Sequence, residues 1–386
     1  MSMMLLFGGD VSPAYSLNFL GGMPGGLTYT NSSTERVYWD STGTRRSAVA
    51  NEPIFETLGG VYQGMRWEME TRTNLATNSE GAAATWTVSN VSDAGTSITG
   101  FSASLAFGNN SVLRSAFKSI VTVDATRYTI SIFVQMDDGL APVVGITSTS
   151  GDFSLVVEGD VAPLDAKVQH IAGSLYRVSA GKVAVAPINN SNGIIKYTTQ
   201  SARTFRVIGI QVEAAASASS YIPTAGSAVI RQPDVLTANS ISPWYNQSEG
   251  TVVFEGITSV ISGSNGGLFV ISDGTSAERL FSYTQGLVTS SCSDGNILQA
   301  QMTTANSVTA GSVFRAALAY KVNDFATVLS AGTVVTDTSG SLPTVTQLRF
   351  GHSSPASGLP FMGYARRFSY YNTRLPNSIL QGLSRV

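Results

Sequence analysis

In the stretch Tyr128-Thr-Ile-Ser-Ile-Phe-Val134, the residues Tyr128, Ile130, Ile132 and Val134 share one side of an extended chain. Arg206 to Glu213 repeats the pattern with Ile208, Ile210 and Val212, and Phe314, Ala316, Leu318 and Tyr320 repeat it again. A period of two fits strands that bury one face, and such strands are stable only when sheets pack face to face. Composition points the same way. Hydrophobic residues make up 43% of the chain, enough for real cores, while only 12% are charged, about half the ordinary share of ~25%. Long surface helices need Glu, Lys and Arg on their solvent side, and here Ser, Thr, Asn and 38 Gly take those places. The expected fold is all-β, with short strands, many turns and two or three domains in 386 residues.

Residues 1–68 carry turn signals at Gly8-Gly9-Asp10, Gly21-Gly22, Pro24-Gly25-Gly26, Asn31-Ser32-Ser33 and Gly59-Gly60, with short apolar pieces between them. They read as an extended arm too small and open to bury its own core. It should pack on its own downstream domain, a sister subunit or a larger assembly. Met3 to Phe7 reads as a buried strand or docking segment. Residues 69–225 read as a first sandwich or jelly roll, with further strands at Leu175–Val178, Lys182–Val185 and Ile194–Tyr197. Residues 226–240, with Arg231-Gln-Pro-Asp234, read as an extended connector, since proline disfavours helix in the residue before it. Residues 241–386 read as a second sandwich, closed by a short helix over Leu375–Leu383 with Pro376 in its first turn.

Several functions lack their chemistry. The net charge of −2 gives no basic footprint for nucleic acid. No run of 18 apolar residues predicts a membrane-spanning helix, and the first ten residues lack the basic start of an export signal. Cys292 is the only cysteine, so an intrachain disulfide and a cysteine-rich zinc site are excluded. The spacing of paired carboxylates expected of a glycoside hydrolase is absent, as is a Gly-x-Ser-x-Gly nucleophile elbow. Asp137-Asp138-Gly139, Asp273-Gly274 and Asp294-Gly295 read as turns, and His352 reads as a surface-loop histidine. No catalytic residue, cofactor or metal is expected.

What remains is binding. Sugars offer apolar C–H faces and many hydroxyls, so aromatic rings beside amides and hydroxyls suit them. Trp244-Tyr245-Asn246, Tyr283 with Gln285, and Tyr371 followed by Asn372 supply those types. The structural alternative is that these rings fill cores or subunit contacts. The polar string Met69-Glu-Thr-Arg-Thr-Asn-Leu-Ala-Thr-Asn-Ser-Glu80 stands at the junction before the first sandwich. Polar groups buried in a non-regular junction must find partners. Arg72 should therefore tie the arm to the sandwich through a carboxylate such as Glu70 or Glu80, with Asn74 adding amide bonds.

The same string resembles a motif of tailed-bacteriophage virion surface proteins. Gly64, Glu68, Glu70, Arg72, Thr73, Asn74, Leu75, Ser79, Glu80 and Trp86 fill its places, and Ser219-Ser-Tyr-Ile-Pro-Thr224 resembles the usual close of the first sandwich. Pro53-Ile-Phe-Glu56 departs from the pattern by lacking its arginine. The resemblance implies a carbohydrate-binding-like jelly roll and a concanavalin-like, laminin-G-like lectin sandwich. It also implies a structural role as tail fibre, spike or head decoration protein. The arm would join other virion proteins of head, neck or tail, and the sandwiches would contact host surface glycans. The assembly would be a homo-oligomer, a trimer in a fibre or spike, made in the host bacterial cytoplasm. A decoration protein without a receptor role and a polysaccharide depolymerase stand as alternatives.

Overall fold

A computed structural model describes residues 11–386, apart from 35, 96, 97, 99, 162–164, 186–188, 260–265 and 357. The segment Met3 to Phe7 therefore lies outside the described residues. The fold is all-β, with two antiparallel β-sandwiches and one short helix, Asn377–Leu383.

The first sandwich pairs a six-stranded sheet with a five-stranded one. Its central strand, Arg127–Met136, lies between Leu175–Val183 and Phe205–Glu213. Ile130, Ile132 and Val134 face the internal core with Ile210, Val212, Leu155 and Phe205. Phe133, on the other side of the same strand, is buried as well, against Trp39, Phe101 and Tyr221. Both faces of this strand are thus covered, and the outer cover is the N-terminal segment. The two candidates at Leu175–Val178 and Lys182–Val185 merge into the single strand Leu175–Val183, which continues through Gly181.

The second sandwich has an eight-stranded and a seven-stranded sheet, and both draw strands from the N-terminal segment. Tyr15–Asn18 pairs with Met362–Tyr371 on one side of that strand's length, and Val61–Glu68 pairs with it further along. Thr28–Thr30 joins the other sheet through Val235–Ala238. Leu17, Phe19, Met65 and Trp67 enter the core with Phe254, Phe350 and Phe368. Each such side chain contributes about 1.5–3 kcal/mol relative to exposure. Of the surfaces expected to receive the N-terminal segment, its described strands pair with the chain's own downstream domain. Gly64 makes one of these pairings possible. Its φ is +120°, and a Cβ there would lie 2.4 Å from the carbonyl oxygen of Ala365, a backbone approach open only to glycine.

Residues 226–240 are extended, but they form strands rather than a free connector. Val229–Arg231 pairs with Arg72–Asn74, and Val235–Ala238 lies inside the seven-stranded sheet between Thr28–Thr30 and Gln347–Phe350. At the C-terminus, Leu380 is buried with Ile379 and Leu383 beside it, over Val253, Ala317, Ala319 and Val328 of the eight-stranded sheet. Cys292 is buried in the second core. Among the described residues no helix is long and apolar enough to cross a membrane.

Candidate functional site

Three segments distant in sequence meet between the sandwiches. The ribbon Arg36–Trp39/Arg45–Ala48 and the strands Phe55–Leu58 and Val61–Glu68 form one wall. The six-stranded sheet forms another, and Ile257, Tyr364 and Arg366 of the second sandwich close the third. They enclose a crevice of about 800 Å³.

The floor is a buried charge network. Arg66 Nη1 donates to the carbonyl of Val37 at 2.8 Å and to Glu56 Oε1 at 3.3 Å, while its Nε lies 3.4 Å from Glu68 Oε2. Glu56 also accepts a hydrogen bond from the Tyr364 hydroxyl at 2.6 Å. Glu68 accepts the backbone N–H and the hydroxyl of Ser220, each at 2.6 Å. Arg231 Nε sits 3.5 Å from Glu68 Oε2, an ion contact without hydrogen-bond geometry. Burial opposes ionisation of Glu68, but Arg231, Arg66 and the Ser220 bonds outweigh it and hold its pKa at about 2. Behind it, Asp234 accepts from Tyr29 Oη at 2.5 Å, Asn31 Nδ2 at 2.7 Å and Glu68 N at 2.8 Å. Burial pushes the Asp234 pKa up from its ordinary value, against the nearby Arg231. These acids are all committed to internal partners, and a carboxyl held near pKa 2 cannot serve as a proton donor at neutral pH.

The rim differs. Gln169 is exposed and Ser179 half-buried, and neither makes a side-chain hydrogen bond among the described residues. His170 Nε2 contacts the Gly173 carbonyl at 2.8 Å, and its ring stacks on Tyr176. Burial lowers the Lys167 pKa, with Asp165 opposing and Arg127 assisting. The crevice thus has Trp39 and Phe133 buried behind its lining, exposed Val61 and Val168 along it, a closed ionic floor and unengaged amide and hydroxyl groups at its mouth.

The junction string builds the hinge beside this crevice. Arg72 Nη2 pairs with Glu70 at 2.9 Å, a contact within the string itself. Glu80 pairs instead with Arg45 at 2.8 Å, and that bond joins the N-terminal ribbon to the first sandwich. Asn74, fully buried, donates from Nδ2 to the carbonyls of Ile222 (2.8 Å) and Ile210 (3.3 Å). Its Oδ1 accepts from Ala76 N and Val212 N, both at 3.1 Å. Ser79 Oγ bonds the Tyr221 hydroxyl at 2.7 Å and accepts from Thr224 N at 2.8 Å. The two strings that carry the phage resemblance are therefore bonded to each other across about 145 positions.

The four aromatic candidates do not converge. Trp244 stacks on Tyr15 at 4.3 Å, and Tyr245 stacks on Tyr320 and Tyr370, so both cap the end of the second core. Tyr371 is buried beneath the terminal helix. Tyr283 is half-buried on the outer side of the seven-stranded sheet, stacked beside Phe281 at 6.0 Å. His352, expected on the surface, is buried instead, because its backbone packs against Gly267, where a Cβ would come within 2.0 Å of the His352 carbonyl carbon. Burial, helped by the charge of Arg349, lowers its pKa to about 4 against a Gly358 backbone bond. Sequence reasoning missed Glu56, Arg66, Arg231 and Asp234. Their only local signal was charge inside otherwise strand-like stretches. No group of three His, Cys, Asp or Glu among the described residues could hold a metal ion.

No protein-family model matches the chain, and no curated protein does. Among solved structures it is similar to the CBM40 of the Ruminococcus gnavus IT-sialidase bound to α2,3-sialyllactose, at 17% identity over 36% of this chain and 84% of that one, TM-score 0.32. It is also similar to domains LG4-5 of the mouse laminin α1 chain, at 12% identity over 69% and 88%, TM-score 0.28. The CBM22-1–CBM22-2 tandem of Paenibacillus barcinonensis Xyn10C aligns at 11% identity over 79% and 97%, TM-score 0.26. The sandwich assignment rests on the strand pairing described above.

Proposed function

We propose that this chain is a non-catalytic, glycan-binding structural protein of a tailed-phage virion. The observation that carries the binding reading is the crevice between the sandwiches. Its volume of about 800 Å³ falls in the roughly 300–1,000 Å³ range of small-ligand sites. Its apolar lining at Val61 and Val168 and its free rim amide and hydroxyl suit a neutral oligosaccharide. The virion assignment rests on the resemblance of the Glu68–Trp86 and Ser219–Thr224 strings. Attachment to head, neck or tail proteins, and assembly as a homo-oligomer, belong to this reading. The committed floor carboxylates speak against the depolymerase alternative.

Binding of purified chain to host surface polysaccharide by calorimetry tests the proposal, with Ser179→Trp and Gln169→Trp to fill the mouth. The expected result is saturable binding that falls at least about tenfold in these variants, as loss of one well-placed polar contact and its access implies. Undiminished binding by both variants, or new reducing ends in the polysaccharide, would overturn it. Antibody labelling of intact particles in the electron microscope tests the virion role, and unlabelled particles would refute it.

A further inference from the structure

The two outer faces of the second sandwich differ. The eight-stranded sheet is roofed by the terminal helix. On the seven-stranded sheet, register lines up one transverse row, Arg349, Val270, Phe281, Ser291 and Gln301, of which Val270, Phe281 and Ser291 are buried and the two ends, Arg349 and Gln301, reach solvent. In the next row Tyr283, Thr289 and Thr303 stand side by side. Gln301 and Thr303 are exposed, and Tyr283 is half-buried. From Gln301 to Arg349 the first row crosses four strand spacings, roughly 19 Å, the reach of a short oligosaccharide.

Charge on this face is one-sided. Arg279 and Arg349 lie two strands apart, flanking Val270 and Ser272. The guanidinium of Arg279 covers the Phe281 ring at 4.2 Å. Its Nη1 donates to the Ser353 carbonyl at 2.8 Å, and Arg349 Nη1 donates to the carbonyls of Pro355 and Ala356. Neither arginine has an ion-pair partner among the described residues, and neither Nη2 has an acceptor there. Glu278, the adjacent acid, is turned away and accepts the Gly295 N–H at 2.7 Å. The Nε of each arginine is buried without a hydrogen-bond partner, and burial lowers the pKa of both. Two uncompensated, half-buried cations on one face are stabilised by an anion with planar, two-oxygen geometry. A free anion would leave the neighbouring Tyr283 ring unused; Thr303 bonds Thr289 at 3.0 Å and Gln301 donates to Ser291 at 3.4 Å, and each keeps further hydrogen-bonding capacity towards solvent.

We propose that this outer face binds an acidic oligosaccharide, with the Nη2 groups of Arg279 and Arg349 taking a sugar carboxylate, the Tyr283 ring stacking on an adjacent sugar, and Gln301 and Thr303 bonding its hydroxyls. This deepens the glycan-binding reading above, and rests on it, while using a surface separate from the crevice. Carboxylate recognition makes binding depend on salt, because the charges sit near solvent.

The test uses the full chain and three probes: a galacturonic acid hexamer, the same hexamer with its carboxyls reduced, and inorganic phosphate. The acidic hexamer should bind at least about tenfold more tightly than the reduced one, since a charge-assisted pair is lost. Arg279→Gln with Arg349→Gln should erase that difference, and the two Arg→Lys changes should restore part of it. Because the arginines also hold the 353–356 backbone, Thr303→Trp provides a second route. It blocks the row without touching either guanidinium and should cut affinity by a similar factor at unchanged melting temperature. Equal affinity for both hexamers, affinity unchanged in both the Gln and Trp variants, or phosphate competing as strongly as the hexamer would overturn the proposal. If these fail while Ser179→Trp still weakens a neutral glycan, the crevice reading stands alone. If no saccharide binds at either place, both readings fall.

Discussion

Asn74→Ala is the sharpest test of how the junction string is held to the first sandwich. The Asn74 side chain is fully buried and makes four hydrogen bonds, two given and two received, all to backbone groups of the first sandwich and its closing segment. Four is the full complement of an amide side chain, so nothing in this site is spare. Alanine leaves the carbonyls of Ile210 and Ile222 and the amides of Ala76 and Val212 without these partners in a site closed to solvent. At about 1 kcal/mol per bond the loss is about 4 kcal/mol, with water entry into the vacated space as the chief way to reduce it. Asn74→Asp should be no better, because it turns both donated bonds into oxygen–oxygen contacts. Urea unfolding followed by circular dichroism would give the energy, and hydrogen exchange would give its location. The Ala76 and Val212 amides should exchange much faster while the second core keeps its protection. A loss below about 1 kcal/mol with unchanged exchange at those two amides would refute the junction account.

Phe19→Ala should destabilise the second sandwich by about 3–5 kcal/mol, since Phe19 packs edge-on to Trp67 at 5.6 Å and near Phe350. Protease resistance of the C-terminal half should fall with it, and an unchanged digest would contradict the topology. His352 is kept neutral in the fold down to about pH 4, against an ordinary 6.5, so the unfolded chain gains a proton first as pH drops. Stability should therefore fall between pH 6.5 and 4 by up to about 3 kcal/mol, and His352→Gln should flatten that part of the melting-temperature profile. Glu68 has a depressed pKa of about 2 against 4.5, so its contribution is present above pH 4.5 and lost on going from 4.5 towards 2. Glu68→Gln should remove that lower slope. It should also cost about 3–5 kcal/mol at neutral pH, because Arg66 and Arg231 lose their shared counter-charge.

Period-two alternation carries one kind of information, the side of a strand that is buried, and it was legible wherever it stood. Arg127–Met136, Phe205–Glu213, Val313–Lys321 and Met362–Tyr371 occupy the stretches the pattern marks. Alternation does not say which strands are neighbours. Tyr15–Asn18 shows a single buried residue, Leu17, in four, too little to distinguish a strand of its own domain from a tail awaiting a partner. Only the unfilled edge of Met362–Tyr371, some 350 positions away, decides the matter. The polar string at 69–80 was legible as a place where buried groups need partners, but the partner of Glu80 was not, because Arg45 sits in a turn-rich region with no periodicity to place it. His352 was misread for a related reason: its Gly-Ser-Pro surroundings are those of a surface loop, and burial came from the bare backbone of Gly267 opposite.

The aromatic candidates fail or survive by the same logic. A ring's local neighbours report chemistry, whereas its accessibility is set by whichever layer lies over it. Trp244 and Tyr245, both half-buried, cap the core end, with Tyr15 of the N-terminal segment stacked on the former. Tyr371 is spent beneath the terminal helix. Tyr283 stays half-exposed because no segment among the described residues roofs the Gln301–Thr303 side of its sheet. The arrangement that leaves it open is also the one that leaves Arg279 and Arg349 without carboxylates. The N-terminal segment fills the crevice walls and the core end but not this face, so a closed ionic interior stands beside a surface where Arg279 and Arg349 have no ion-pair partner among the described residues. Binding at that surface would call for no domain movement, because Glu68, on a strand of the second sandwich, already bonds Ser220 of the segment that closes the first.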